Sequence, residues 1–188
     1  MGIENERKLL LDVNRSQEII KHLRSDPHIA WYDITQGYLS GSCRVRHVVP
    51  HVNPIPDEKF IFTFKTKVRG STVEIESDIS VHDYQKLFLI CKPIIVKTRA
   101  KIVCGDYTWD VDFLRKPKSG EIYLVMAEVE MPEFEPDVPA PHELLEPYAM
   151  KWIDQGDKRF NNRNLSNPKK AAKHVQELHN GPTKKTTT

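Results

Sequence analysis

The 188-residue chain lacks most of the features that sort a sequence quickly. No apolar run approaches the ~20 residues of a membrane helix, so no membrane partner is expected. The opening stretch, Met1 to Glu6, is acidic and has no apolar core of a secretory signal. Gly2 is followed by Glu6 where a myristoylation signal carries Ser or Thr. Only three cysteines occur, Cys43, Cys91 and Cys104, and none sits in a Cys-x-x-Cys pair. This excludes a disulfide framework and a zinc ribbon, and it points to a reducing, cytoplasmic setting. Excess charge of one sign is missing too: the formal net charge is +2, so bulk charge names no partner. No fixed-period repeat is visible. What the chain does have is charge of both signs, and its placement is informative.

Alternation and turn residues predict eight strands, over residues 3–12, 31–39, 43–49, 59–68, 72–78, 94–104, 107–115 and 121–131. Turns are expected at Ser40-Gly41-Ser42, at Arg69-Gly70-Ser71 and at Gly105-Asp106, with a Pro-rich loop from Pro50 to Pro56. Ser16 and Ser80 are expected to cap helices over 17–24 and 81–91. Residues 132–147 read as a loop. Short helices are expected near 148–153 and 158–165. Asn167 and Pro168 look like an N-cap and N1 pair opening a last helix to about Leu178. The residues from Asn180 onward read as a low-complexity, disordered tail. One domain over 1–166 is expected, followed by this helix and a basic tail.

Seven of the eight expected strands carry charges at i and i+2, which lie on one face of a strand. The sets are Glu4, Glu6 and Lys8; Arg44 and Arg46; Lys65 and Lys67; Glu74 and Glu76; Lys97, Arg99 and Lys101; Asp110 and Asp112; Glu128 and Glu130. The opposite face is apolar, as in Phe60, Phe62 and Phe64 or Val125 and Val129. One such pair would read as a solvated outer face. Seven, nearly all segregated by sign, depart from the interspersed charge of an ordinary surface. They fit a mainly β (α+β) fold, an eight-stranded antiparallel closed β-barrel whose interior is the charged face, with helices packed outside. Clustered carboxylates call for cations, and hard cations such as Mg²⁺ or Mn²⁺ take oxygen ligands. Clustered Lys and Arg call for a highly charged anion such as a polyphosphate.

These same residues resemble the CYTH family, the triphosphate tunnel metalloenzymes. Glu4, Glu6 and Lys8 match its Glu-x-Glu-x-Lys, Arg44 and Arg46 its Arg-x-Arg, and Lys65 the basic position of the next strand. Glu74 and Glu76 match a Glu-x-Glu, Lys97 and Arg99 a Lys-x-Arg, and Glu128 and Glu130 the Glu-x-Glu of the last strand. Asp112 is the best match to a metal-side aspartate, and Asp157, Arg159, Asn162 and Leu165 resemble a C-terminal Asp-x-Arg-x-x-Asn-x-x-Leu. The likeness runs from residue 3 to about 166 and is nearest the short bacterial inorganic triphosphatases. The loop from Pro132 to Pro147 and the stretch Ile153-Asp154-Gln155 depart from the pattern.

The resemblance and the charge map together imply roles. Glu4, Glu6, Asp112, Glu128 and Glu130 would hold one or two Mg²⁺ or Mn²⁺ ions. Glu74 and Glu76 would assist or position water. Lys8, Arg44, Arg46, Lys65, Lys97, Arg99 and Arg159 would hold a triphosphate. The expected reaction is hydrolysis of inorganic triphosphate to pyrophosphate and phosphate. The alternatives are class IV adenylate cyclase, thiamine or nucleoside triphosphatase, removal of an RNA 5′ γ-phosphate, and a non-catalytic polyphosphate-binding module. A homodimer is common among such relatives. His47 and His51 are separated by Pro50 and are not expected to bind zinc. Trp31, Trp109 and Trp152 are read as packing residues, and the Lys-rich tail as a solvated end, so no nucleic-acid partner is expected.

Overall fold

The computed structural model describes residues 5–40, 42–51, 57–68, 71–132 and 135–180. Glu4, most of the Pro-rich loop, the turn residues Gly41, Arg69 and Gly70, and the tail after Asn180 lie outside them.

Nine strands form one antiparallel sheet. They are β1 (Glu6–Leu11), β2 (Ala30–Ser40), β3 (Cys43–Pro50), β4 (Lys59–Val68), β5 (Ser71–Asp78), β6 (Ile94–Cys104), β7 (Tyr107–Arg115), β8 (Ile122–Glu130) and β9 (Ala149–Ile153). The order across the sheet is β5-β4-β3-β2-β6-β7-β8-β1-β9. Four helices accompany it: α1 (Ser16–Arg24), α2 (Val81–Phe88), α3 (Asn162–Leu165) and α4 (Pro168–Asn180).

The expectation of eight strands in a closed barrel needs two corrections. A ninth strand forms where a helix was expected near 148–153, because Ala149–Ile153 pairs along β1, with Lys8 opposite Ile153 and Leu9 opposite Trp152. The sheet also ends at β5 and β9, and no ladder joins those edges among the described residues. It nevertheless curls, since Glu74 and Glu76 of β5 line the same cavity as Glu6 of β1. The stretch Asn161–Arg163 stands between the two sides, lining one recess with Lys8 of β1 and Lys65 of β4.

The outer face is apolar and covered. Ile19 and Leu23 of α1, four residues apart and so on one helix face, pack with Leu9, Val111, Phe113, Val125 and Val129. Tyr84, Leu87 and Phe88 of α2 pack over Val45, Phe60 and Phe62. Gly37 of β2 permits this second contact, because a Cβ there would lie 2.6 Å from Cys91 Cβ.

Helix starts follow local hydrogen bonding. Ser80 caps α2 as expected, its Oγ accepting from the Asp83 N–H at 3.1 Å. Asn167 caps α4, accepting from the N–H groups of Lys169 and Lys170. Ser16 does not cap α1. The chain already turns at Val13–Arg15, where Asp12 accepts from the Asn14 N–H. The helix expected over 158–165 is split, because Asn161 is extended and its side chain starts α3 by accepting from the Asn164 N–H.

The inner face changes character along its length. In β1 the series Glu6, Lys8, Leu10 passes from charged to apolar. Along β8 Glu130 and Glu128 give way to Met126 and Leu124 at the same depth, with Lys8 opposite Glu128 and Leu10 opposite Met126, while on β7 the change from Asp110 and Asp112 to Leu114 comes one pair deeper, Asp112 standing opposite Met126. The C-terminal segment covers the apolar half: Phe160, Leu165, Ala171 and Leu178 are buried with Leu10, Leu114, Leu124 and Met126. The charged half remains as a cavity.

Candidate functional site

The period-2 alternation that buries Val45, Val111 and Val129 on the outside turns their neighbours inward. The resulting cavity has a volume of about 320 Å³. Its described lining is almost entirely charged: six bases, Arg44, Arg46, Lys65, Lys97, Arg99 and Lys101, and six acids, Glu6, Glu74, Glu76, Asp110, Glu128 and Glu130. Gln36 and Asn162 complete it. These strands are distant in sequence, and only the curl of the sheet brings β5 and β1 to one space.

The bases are held by nearby acids of the same sheet. Asp112, fully buried, accepts from Lys97 Nζ at 2.5 Å. It also accepts from the Arg99 guanidinium at 2.6 Å and 2.7 Å. Arg99 bonds Asp110 as well and lies 3.5 Å from Glu128. Lys8 Nζ stands 2.5 Å from Glu128 and 2.8 Å from Glu6. On the other side Arg44 donates to Glu74 at 2.7 Å, Lys65 lies 3.1 Å from Glu74, and Arg46 pairs with Glu76.

Ionisation follows from burial set against these partners. Burial disfavours the Lys97 ammonium, and the adjacent Arg99 adds repulsion, so its pKa falls to about 8 despite Asp112. Burial and the neighbouring Arg44 pull Arg46 down to about 10. For Lys8 and Arg99 burial acts in the same sense, but the surrounding carboxylates outweigh it and raise both. Burial would raise Glu128, yet Lys8, Lys97 and Arg99 hold it down at about 2. Burial lifts the Asp110 carboxyl above its ordinary range, against Arg99 and Lys101.

Not every polar atom is satisfied. The Nε–H groups of Arg44 and Arg46, Asp110 Oδ1 and Asn162 Oδ1 are buried with no hydrogen-bond partner among the described residues. Unpaired buried donors are costly, and two from adjacent arginines facing one cavity suit an acceptor-rich ligand.

The expected site residues are placed as follows. Glu6, Arg44, Arg46, Lys65, Glu74, Glu76, Lys97, Arg99, Glu128 and Glu130 line the cavity together. Lys8 borders it through its bonds to Glu6 and Glu128. Asp112 lies beneath, with both oxygens engaged by bases. Arg159 is elsewhere: it pairs with Asp157 and Glu177 and does not line the cavity. Glu4 lies outside the described residues, as do the side chain of Lys67 and its contacts. Gln36, Lys101 and Asp110 join the lining without having been assigned a role.

For a hard cation, the donor chemistry fits. Glu6 and Glu130 stand directly opposite on β1 and β8, and each is at least partly open to solvent. Directly opposed residues of antiparallel strands have Cβ atoms ~4.5–5.5 Å apart, within reach of a shared ion. Glu128 and Asp112 are already committed to lysine and arginine. No three His, Cys, Asp or Glu side chains converge as a metal cluster among the described residues.

No family model and no curated protein matches the chain. Solved structures do. A Pyrococcus horikoshii OT3 protein matches at 15% identity, covering 71% of this chain and 81% of that one, with a TM-score of 0.45. A candidate adenylyl cyclase of Hippeastrum, described as having a dominant triphosphatase activity, matches at 14% identity over 71% of this chain and 81% of that one, with a TM-score of 0.45. A structure of the Schizosaccharomyces pombe Mediator head module matches at 9% identity over 96% of this chain and 95% of that one, with a TM-score of 0.42. Likenesses this distant decide nothing about chemistry, which rests on the residues of this chain. Among the described residues, no helix is long and apolar enough to cross a membrane.

Proposed function

We propose that the chain hydrolyses a triphosphate, inorganic triphosphate foremost, to pyrophosphate and phosphate with the help of Mg²⁺ or Mn²⁺. The observation that carries this is the pair Arg44 and Arg46, whose Nε–H groups are buried in the charged cavity with no acceptor among the described residues. Phosphate oxygens supply such acceptors in the geometry guanidinium favours.

The balance of signs supports a metal-bound substrate over a naked anion. Six bases face six acids in the described lining. A polyanion alone would meet repulsion from Glu6, Glu128 and Glu130. One that arrives with divalent cations leaves the cavity close to neutral. Glu6 and Glu130, with Glu4 beyond the described residues, would hold the cation, which supplies Lewis-acid polarisation of phosphate oxygens.

The chain's own residues do the remaining work. Arg44, Arg46, Lys65, Lys97 and Arg99 grip and orient the phosphates. Asp110 and Asp112 fix Arg99 and Lys97, and Glu74 and Glu76 fix Arg44, Arg46 and Lys65, so little reorganisation is left for the reaction. Water adds in line at the terminal phosphorus, the bridging P–O bond breaks, and pyrophosphate leaves. Positioning and charge neutralisation supply most of the acceleration. No single general base is assigned.

The cavity lining includes no aromatic side chain among the described residues, so nothing in it favours an adenine and a cyclisation reaction. The test is phosphate release from inorganic triphosphate, ATP and thiamine triphosphate, each with Mg²⁺, Mn²⁺ or chelator. Rapid metal-dependent cleavage of inorganic triphosphate is expected. Binding without release would point to a sequestering module, and cyclic AMP from ATP to a cyclase.

A further inference from the structure

The charged space continues past Asn162. Across that side chain lies a smaller recess of about 220 Å³, lined by Lys8, Tyr38, Arg44, Thr63, Lys65 and the stretch from Asn161 to Arg163, with Ser42 at its side. Arg44, Lys65 and Asn162 line both spaces, so the two meet there. Their chemistry differs. The main cavity balances acids against bases. The recess has four bases, Lys8, Arg44, Lys65 and Arg163, and no acid in its described lining.

Three of those bases already have carboxylate neighbours: Glu6 and Glu128 at Lys8, and Glu74 at Arg44 and Lys65. Arg163 differs. No ion pair reaches it among the described residues, and its guanidinium carbon lies 5.8 Å from the centre of the Tyr38 ring. Tyr38 is a fixed platform, buried, with its hydroxyl accepting from Gln36 Nε2 at 2.7 Å. Burial lifts its phenol above the ordinary range despite Arg44, so the ring stays neutral beside the guanidinium. The rest of the rim, Ser42, Thr63, Asn161 and Asn162, is neutral and carries hydroxyl or amide donors.

We propose that this recess is a second anion subsite that takes one phosphate group without a metal ion, with Arg163 as the base that sets its specificity. The proposal rests on the phosphate-binding reading of the main cavity. A chain spanning both spaces places one phosphate beside Glu6 and Glu130 and its far end against Arg163. A nucleoside at that far end would push a bulky, uncharged group among four cations, in a space below the ~300 Å³ floor of ordinary small-molecule pockets. The substrate class is therefore an inorganic chain with a charged phosphate at each end.

Calorimetric titration of the full chain with pyrophosphate in excess EDTA tests this, because the recess needs no cation. Wild type is expected to bind, and Arg163→Ala to bind about tenfold more weakly or worse, with Arg163→Lys recovering part of the loss. Arg163 is exposed, so the fold should survive the change, and far-UV circular dichroism checks it. No binding of pyrophosphate in EDTA, or equal binding by Arg163→Ala, overturns the subsite. Hydrolysis with Mn²⁺ is scored separately: its absence sinks the hydrolase reading, while metal-free binding that depends on Arg163 still establishes the subsite.

Discussion

Asp112 accepts from two bases at once, with Lys97 Nζ at 2.5 Å from one oxygen and Arg99 Nε at 2.6 Å from the other. It is fully buried, so it organises the basic wall and has no lone carboxylate edge facing the cavity. Asp112→Asn should leave Lys97 and Arg99, which line the cavity above it, poorly compensated. Removing one partner of a buried ion pair costs ~3–5 kcal/mol, and urea unfolding should show a loss of that size. A variant of unchanged stability that had lost only metal affinity would return Asp112 to the metal side.

Lys97 gives the site a pH dependence. Its pKa of about 8 means that its charge is lost as pH rises through that value. Affinity for inorganic triphosphate should therefore fall above pH 8, by at most about tenfold per pH unit for one proton. Lys97→Arg should remove this limb. Stability moves in the opposite sense. Between about 8 and the ordinary 10.5 the unfolded state binds more protons at this residue, so its contribution to the unfolding free energy rises with pH. Affinity and chemical unfolding measured from pH 7 to 10.5 would show both trends.

Glu128 governs the acid side. Held at about 2 where a free glutamate has 4.5, it contributes stability that is complete above 4.5 and is lost as pH falls toward 2. Glu128→Gln should lower stability at neutral pH and flatten the acid unfolding curve across that window. An acid transition that is unchanged in the variant would show that Lys8, Lys97 and Arg99 do not depend on it.

Gly37 supports the site from behind. It sits on β2 next to Gln36 and Tyr38, and a Cβ there would come 2.6 Å from Cys91 Cβ and 2.9 Å from its sulfur. Gly37→Ala should force α2 and the segment after it outward, costing ~1–3 kcal/mol. Thermal unfolding checks this, and a melting temperature equal to wild type would mean the contact gives way freely.

Much of this was legible in the chain because a strand has a side-chain period of two. Arg44 and Arg46, Glu74 and Glu76, Lys97 and Arg99, and Glu128 and Glu130 were set on one face by spacing alone, and they do line one cavity. What spacing does not give is register. That Asp112 would sit opposite Arg99, and Lys8 opposite Glu128, depends on the ladders. Asp112 therefore read as a metal-side acid, with no base assigned beside it. The short stretch Ala149–Ile153 has no clear period and takes its strand form only from pairing along β1. Closure was not legible for the same reason: alternation says which face turns inward, but not whether a ladder joins β5 to β9, and none does among the described residues. The change from Glu130 and Glu128 to Met126 and Leu124 along β8 was not read from the sequence, because what covers the apolar end is α4, through Ala171 and Leu178.

The most direct measurement is phosphate release from inorganic triphosphate by the Glu6→Gln, Glu130→Gln double variant beside wild type, each with Mn²⁺ and with chelator. The two glutamates stand opposite each other on β1 and β8 and are the acids least committed to bases within the cavity. Metal-dependent release by wild type, reduced at least about a hundredfold in a variant with an unchanged circular dichroism spectrum, is the predicted result. Undiminished metal-dependent release by the double variant would contradict the account, because the acidic side of the cavity would then have no part in the reaction.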